Sequence, residues 1–334
     1  MSRFILKNRS VLKKKKESAG VLTTALVLVA FVSLLLTGCT KEQGENGNSG
    51  RLKVVTTMFT AYDFANQVGG DNADVSMLLK PGAEAHTFDP TPKDIADISR
   101  CDVFICNGGE NEVWVDSILE SIDNPSMKIV RMTDCCDKVA EELVEGMQAE
   151  DEHDEEEHDE EEPEWDEHVW MSPVNAQKIV TSICEALCAA DETHKASYTA
   201  NRDAYIEKLQ KLDSDIREVL SDGKERMLIF ADRFPARYFT EEYDLDYRAA
   251  FPGCSADTQA SAATIAYIVK TVNEKNIKTI YTIELSDGKL ADVVAEKTGA
   301  EIKTFYTGHN VSLTDFENKV TYIDLLYRDL DVIR

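Results

Sequence analysis

Residues 150–170, EDEHDEEEHDEEEPEWDEHVW, set three histidines in or beside a run in which 14 of 18 residues (150–167) are Asp or Glu. Imidazole and carboxylate are the donors that hold borderline and hard divalent cations. The run has no basic residue, so its carboxylates concentrate cations while His153 and His158 add nitrogen donors. Neighbouring carboxylates also favour the protonated imidazole, which cannot ligate, so a metal held here should be lost as acidity rises. A disordered acidic spacer is the plainer alternative. His168 is different in kind. Trp170 and Met171 follow it and can bury a site wall, and Ser172-Pro173 then opens a helix.

A second histidine has the same setting. In PGAEAHTFDPTPKD (81–94), His86 follows the predicted strand VSMLL (75–79), and Thr91-Pro92 opens the next helix. Open α/β sheets place ligands at the carboxyl ends of their strands. A lone loop histidine is ordinarily a solvated residue; a pair in matched settings is a candidate site. Two further donors stand at strand ends in the second half: Glu284 in YTIELSDGK (281–289) and His309 in TFYTGHNVS (304–312).

The elements that must position these residues alternate in type. RLKVVTT (51–57), VSMLL, DVFIC (102–106) and KIV (128–130) read as strands of one unit. RMLIFA (226–231), LDYRAA (245–250), IKTIYTI (277–283) and EIKTF (301–305) read as strands of another. Helical patterns at 258–274, 288–298 and 313–330 lie between or after them. The expected fold is α/β, with two lobes that each carry a small, mostly parallel sheet flanked by helices. Between the lobes, Tyr198, Tyr205, Leu209, Leu212, Ile216 and Val219 recur at sevens, fours and threes, which predicts one long rigid helix over 191–222 ended by Asp222-Gly223. A coiled-coil partner would give the same stripe, but barely four heptads suit packing on the chain's own lobes better. The expected organisation is therefore a first lobe at 51–190 containing the acidic loop 148–167, the bridging helix at 191–222, and a second lobe at 223–334.

The amino terminus reads as an address. Arg3, Lys7, Arg9 and Lys13–Lys16 precede the uncharged stretch VLTTALVLVAFVSLLL (21–36), which is short for a spanning helix of about 20 residues. Leu36-Thr37-Gly38-Cys39 resembles the bacterial lipoprotein cleavage box. Residues 1–39 are thus the expected signal peptide, with Cys39 as the lipidated residue and 40–50 as a flexible tether; an uncleaved membrane anchor is the alternative. Acyl chains anchor because each buried methylene contributes about 0.8 kcal/mol. The net charge of −26 argues against nucleic acid or an anionic membrane surface as partner. The seven other cysteines have no framework spacing and read as small apolar residues rather than a disulfide scaffold.

The blocks PGAEAHTFDPTPKD, NGGENEVWVD (107–116) and DEHVWMSP (166–173), together with the bridging helix, resemble the metal-specific solute-binding lipoproteins of bacterial ABC importers, the zinc subgroup most of all. The resemblance spans essentially the whole chain beyond the tether. It implies one metal in the cleft between the lobes, delivered to a permease coupled to an ATPase, and a monomeric protein outside the cell. It also implies that His86 and His168 are the first two metal ligands. The third family ligand, a His or Glu, aligns without gaps with Arg233, which has no lone pair to donate. Asp232 is the nearest replacement; a turn or an ion pair with Arg233 or Arg237 is its other role. The fourth family ligand falls near Tyr306, where His309 is the compensating donor or else a hydrogen-bonding loop residue. Glu284 is a supporting candidate, able to orient a histidine or to neutralise Arg233.

Two or three imidazoles with one carboxylate suit Zn2+, whereas Mn2+, the alternative, prefers more oxygen. Zinc binders that resemble this chain carry a His- and acid-rich loop where the acidic run stands, which makes His153 and His158 accessory donors. A secreted metallohydrolase is a competing expectation, yet no HExxH helix or Gly-x-Ser-x-Gly elbow occurs. A surface adhesin lipoprotein of the same fold is another. The chain is expected to be a binding protein and not an enzyme.

Overall fold

The structure is a computed structural model that describes residues 50–85, 88–148, 164–222, 226–253, 255 and 259–334. The expected signal peptide with Cys39, the tether up to Ser49, His86, His153, His158 and Cys254 lie outside the described residues.

Four strands, Leu52–Thr56 (β1), Ala73–Met77 (β2), Val103–Cys106 (β3) and Lys128–Arg131 (β4), form a parallel sheet in the order β2-β1-β3-β4. Val54 stands opposite Val75 on one side and Val103 on the other. A parallel sheet is covered on both faces, which is why β3 reads VFIC and is buried at every position. The helices that cover it are Phe59–Gly69 (α1), Pro92–Ile98 (α2), Trp114–Ser121 (α3) and Pro173–Ala190 (α4). Both Pro-initiated starts expected from sequence are present. Thr91 and Asp94 form a capping box at α2, and the Ser172 hydroxyl accepts from the Val174 and Asn175 amides at α4.

The second sheet repeats this plan. Met227–Phe234 (β5), Asp246–Pro252 (β6), Thr279–Ile283 (β7) and Glu301–Phe305 (β8) are parallel in the order β6-β5-β7-β8. In each sheet the strand order reverses beside the first strand, so the loops part and open a crevice at the carboxyl ends there.

Lys195–Leu220 (α5) joins the two, and its 26 residues span roughly 39 Å at 1.5 Å per residue. Tyr198, Tyr205, Leu209, Leu212 and Ile216 are its buried stripe. The helix packs on α1 and α4 of the first lobe and on the C-terminal helix Tyr322–Ile333 of the second. One core runs through both lobes, from Val54, Phe64 and Ile105 to Phe230, Phe305 and Tyr322. The stripe therefore serves the chain's own lobes.

Three helix boundaries differ from expectation. The helix expected over 313–330 is two, Leu313–Glu317 and Tyr322–Ile333, because Lys319 takes a left-handed conformation (φ 57°) and Thr321 with Asp324 caps a new start. The helix expected from 258 begins at Ala262, capped by Ser261. The bridging helix begins at Lys195, after a short 3-10 turn over Glu192–His194.

No described cysteine is in a disulfide, and Cys101, Cys106 and Cys184 are buried. No helix among the described residues is long and apolar enough to cross a membrane.

Because the core is continuous through α5, Leu209→Ala should lower stability by about 2–5 kcal/mol and leave a single unfolding transition. Urea melts followed by circular dichroism test this; two separated transitions would show that the lobes unfold independently.

Candidate metal centre

His168 follows Asp166 and Glu167 and leads into the 3-10 turn Val169–Met171 ahead of α4. Its ring is fully buried. Asp166, also buried, accepts from the His168 amide at 2.8 Å and faces Nδ1 at 3.1 Å. A carboxylate at Nδ1 places the ring proton there, so Nε2 presents its lone pair. That Nε2 is buried without a hydrogen-bond partner. Burial pushes the imidazole toward neutrality, but Asp166, Glu167 and Glu141 together outweigh it and raise the pKa above the ordinary value.

Asp166 is itself held. Its amide donates to Val139 O at 3.0 Å, and its carbonyl accepts from the Tyr238 hydroxyl at 3.0 Å. Beside it, Glu141 accepts from the Gly253 amide at 2.8 Å, and burial, then the Asp166 charge, lifts its carboxyl to about 7. Gly253 lies so close that an added Cβ would stand 2.8 Å from His168 Cε1 and 2.7 Å from Phe234 O. Only glycine fits against this ring.

The block NGGENEVWVD supports the same residue from below. Gly109 has φ 103°, and a Cβ there would run into the Glu167 carboxylate at 2.4 Å. Glu167 Oε1 accepts from the Glu110 amide, and its carbonyl accepts from Asn107 Nδ2 at 3.1 Å. Glu112 lines the adjoining cavity with Asn107 and Glu167; desolvation raises its pKa against a hydrogen bond from the Gly108 amide.

His309 approaches from the other lobe, on the loop after β8. The His168 and His309 rings are 4.7 Å apart and perpendicular, and Trp170 stands beside both at 5.4 and 4.8 Å. Trp170 Nε1 donates to Thr307 O at 2.7 Å, so the indole also pins the loop. The Thr307 hydroxyl lies 3.2 Å from His309 Nδ1 and 2.6 Å from Glu284 Oε1. A hydroxyl has one proton. Given to the carboxylate, it leaves oxygen to accept from Nδ1–H, which makes Nε2 the acceptor nitrogen of this ring as well. Glu284 also accepts from the Thr307 amide at 2.7 Å and the Gly308 amide at 3.0 Å. Desolvation, opposed by these bonds, lifts it to about 7.

Asp232 is placed differently. Its Oδ2 accepts from the Thr282 hydroxyl at 2.6 Å and the Ile283 amide at 3.3 Å, and its Oδ1 accepts from the Arg233 amide at 2.9 Å. The carboxylate ties β5 to β7 where the register shifts between Phe230 and Arg233, and it lines a neighbouring cavity. Arg233 faces the cavity that holds His309 and Glu284. His86 is outside the described residues, but Ala85 and Phe88 on either side of that gap line the same cavity as His309. Among the described residues no group of three His, Cys, Asp or Glu side chains is set to hold a metal.

Asp166, Glu167, Glu141 and Glu112 escape the reading of the sequence. Only Asp166 leaves a signal there, as the acid two residues before the histidine in DEH.

A family model described as "ZnuA: Zinc-uptake complex component A periplasmic" matches residues 54–334. The chain is 33% identical over 314 residues to the high-affinity zinc uptake system protein ZnuA of Bacillus subtilis (strain 168), covering 93% of this chain and 96% of that protein. It is 31% identical over 312 residues to the zinc-binding lipoprotein AdcA of Streptococcus pneumoniae (strain ATCC BAA-255 / R6), 93% of this chain but only 60% of that longer protein. The Zn(II)-bound ZnuA-like domain of S. pneumoniae AdcA superposes with a TM-score of 0.69 at 30% identity, covering 85% of this chain and 97% of the domain.

Asp166→Asn should lower the His168 pKa, since the carboxylate charge is the chief influence raising it. Titration of the ring by NMR measures this; an unchanged pKa would assign the shift to Glu167 and Glu141 instead.

Proposed function

The chain belongs to the ZnuA family of zinc-uptake components, and from that premise we propose that it captures Zn2+ outside the cytoplasm, in the cleft between its lobes, and passes the ion to an ABC-type permease. The observation that carries this reading is the buried Nε2 of His168, with no hydrogen-bond partner and its ring 4.7 Å from that of His309. A buried polar atom without a partner costs about 1–3 kcal/mol, a cost that a bound cation removes. The donor chemistry favours zinc: neutral imidazoles held by carboxylate and hydroxyl partners are borderline ligands, while manganese prefers oxygen.

His86, His168 and His309 are the proposed ligands. Asp232 joins them only by giving up its bonds to Thr282 and Ile283, so the fourth position suits water or another carboxylate. Asp166 and the Thr307–Glu284 pair act as supports that fix which ring nitrogen faces the ion. The acidic run, with His153 and His158, is proposed as an accessory collector, and Cys39 as the lipid anchor. The lobes divide as 51–190 and 223–334 about a bridge at 191–222. Spread over two lobes, the ligands form a clamp, and the protein acts as a capture component rather than as a catalyst.

His86→Ala or His168→Ala should each weaken zinc binding by orders of magnitude, while deletion of 150–164 should change it little. Competitive titration of zinc and manganese on the 50–334 fragment checks this division of roles; an equal loss from the deletion would overturn it.

Protons compete with zinc at the same nitrogens. The carboxylates around His168 raise its pKa above 6.5, so competition begins at higher pH than for a free imidazole. Affinity should fall as pH falls, by about tenfold per pH unit for each proton displaced once below that pKa. A dissociation constant that stays flat from pH 8 to 5.5 would exclude imidazole ligation.

A further inference from the structure

Arg233 is a permanent cation in the wall of a cavity that, on the reading above, receives another. Its side chain is 12% exposed against 41% for Glu84, and both line the cavity together with His309, Thr307 and Glu284. Its Nη1 donates to Ser255 O at 3.5 Å and its Nη2 pairs with Glu84 Oε2 at 3.3 Å. A guanidinium does not lose its proton at any working pH, so the charge stays whether the cleft is empty or full. The two partners come from opposite lobes. Arg233 lies on β5, and Glu84 lies on the loop after β2, two residues before His86. The ion pair therefore crosses the cleft beside His309.

We propose that Arg233 is the internal counter-cation of the empty cleft: it holds Glu84 across the lobes, competes with zinc for the carboxylates of the cavity, and so sets how readily the ion is released. The inference rests on the zinc-capture reading. A protein that must surrender its cargo cannot hold it without limit, and a fixed positive charge in the cavity wall opposes a divalent ion at close range in a medium that screens poorly. Charges on an exposed rim act mainly on association, whereas charges withdrawn from solvent act mainly on dissociation. Arg233 is of the second kind. The Ser255 carbonyl, 3.5 Å from Nη1, gives the guanidinium a second acceptor besides Glu84.

The test compares Arg233→Gln, Arg233→Lys and Glu84→Gln on the 50–334 fragment, by competitive zinc titration and stopped-flow chelator release. Arg233→Gln should tighten zinc by at least about tenfold, chiefly through slower release. Arg233→Lys keeps the charge and should stay near the parent. Glu84→Gln leaves the guanidinium uncompensated and should weaken zinc, and this effect should shrink when combined with Arg233→Gln. A merely structural ion pair would lower the melting temperature of the zinc-free protein in both Arg233 variants without this charge-dependent split in release rate. The inference is overturned if Arg233→Gln releases zinc at the parent rate. Should Arg233→Gln fail to fold, parent-like release from Glu84→Gln overturns it equally. If the parent itself takes up no zinc, the capture reading falls and this inference with it.

Discussion

One buried carboxylate ties together the three parts that the cleft requires. Asp63, on α1 of the first lobe, accepts through Oδ2 from the Tyr205 hydroxyl of the bridging helix and from the Tyr322 amide at the start of the C-terminal helix, both at 3.1 Å. Gln67 donates to its other oxygen at 3.0 Å. Burial raises the Asp63 pKa, and these hydrogen bonds oppose that rise. The Tyr322 hydroxyl then donates to Trp170 O at 2.6 Å, which links this hub to the turn that carries His168. A buried acid with three donors specifies one arrangement of α1, α5 and the C-terminal helix, because any other leaves polar groups unpaired. The distance between the histidines depends on that arrangement.

The loop after β8 is fastened just as firmly. The Gly308 carbonyl accepts from the Thr60 hydroxyl at 2.7 Å and the His309 carbonyl from the Phe59 amide at 3.0 Å. The Asn310 side chain donates to Lys80 O at 2.7 Å and Ala83 O at 2.8 Å, and the Gly82 amide donates to Val311 O at 2.8 Å. The second-lobe loop that bears His309 thus grips the first-lobe loop that leads to His86. Phe59, Val311 and Leu325 close an apolar cluster over this junction. With a continuous core beneath, these bonds tie the two lobes together at the cleft.

Charge is arranged on the same economical plan. The two imidazoles carry carboxylate or hydroxyl partners on Nδ1, which leaves Nε2 of each as the acceptor nitrogen. Most of the remaining ion pairs, such as Lys93 with Asp97 and Lys211 with Asp215, lie on exposed helix faces and contribute little to stability. Arg233 with Glu84 and Arg237 with Glu142 span the lobes, the first of them in the wall of the cavity that His309 lines.

Periodicity and punctuation determined much of this protein in advance. The apolar stripe Tyr198–Ile216, the all-apolar β3, and the starts at Thr91-Pro92 and Ser172-Pro173 express burial and capping, which are local and therefore written in neighbouring residues. The same logic placed His168 in a folded wall and set it apart from the acidic run. The parts played by Asp232 and His309 could not be told apart in this way, since nothing in the neighbouring residues says what each side chain meets. Tertiary structure gives them different partners: Thr282 and Ile283, some 50 residues along the chain, donate to the Asp232 carboxylate, while the His309 ring has Thr307 at its Nδ1 and stands 4.7 Å from the ring of His168. The position of Arg233 across from Glu84 belongs to the same class. It depends on which groups meet across the cleft, and a hydrogen bond between residues 149 or 248 positions apart leaves no local pattern from which it could be read.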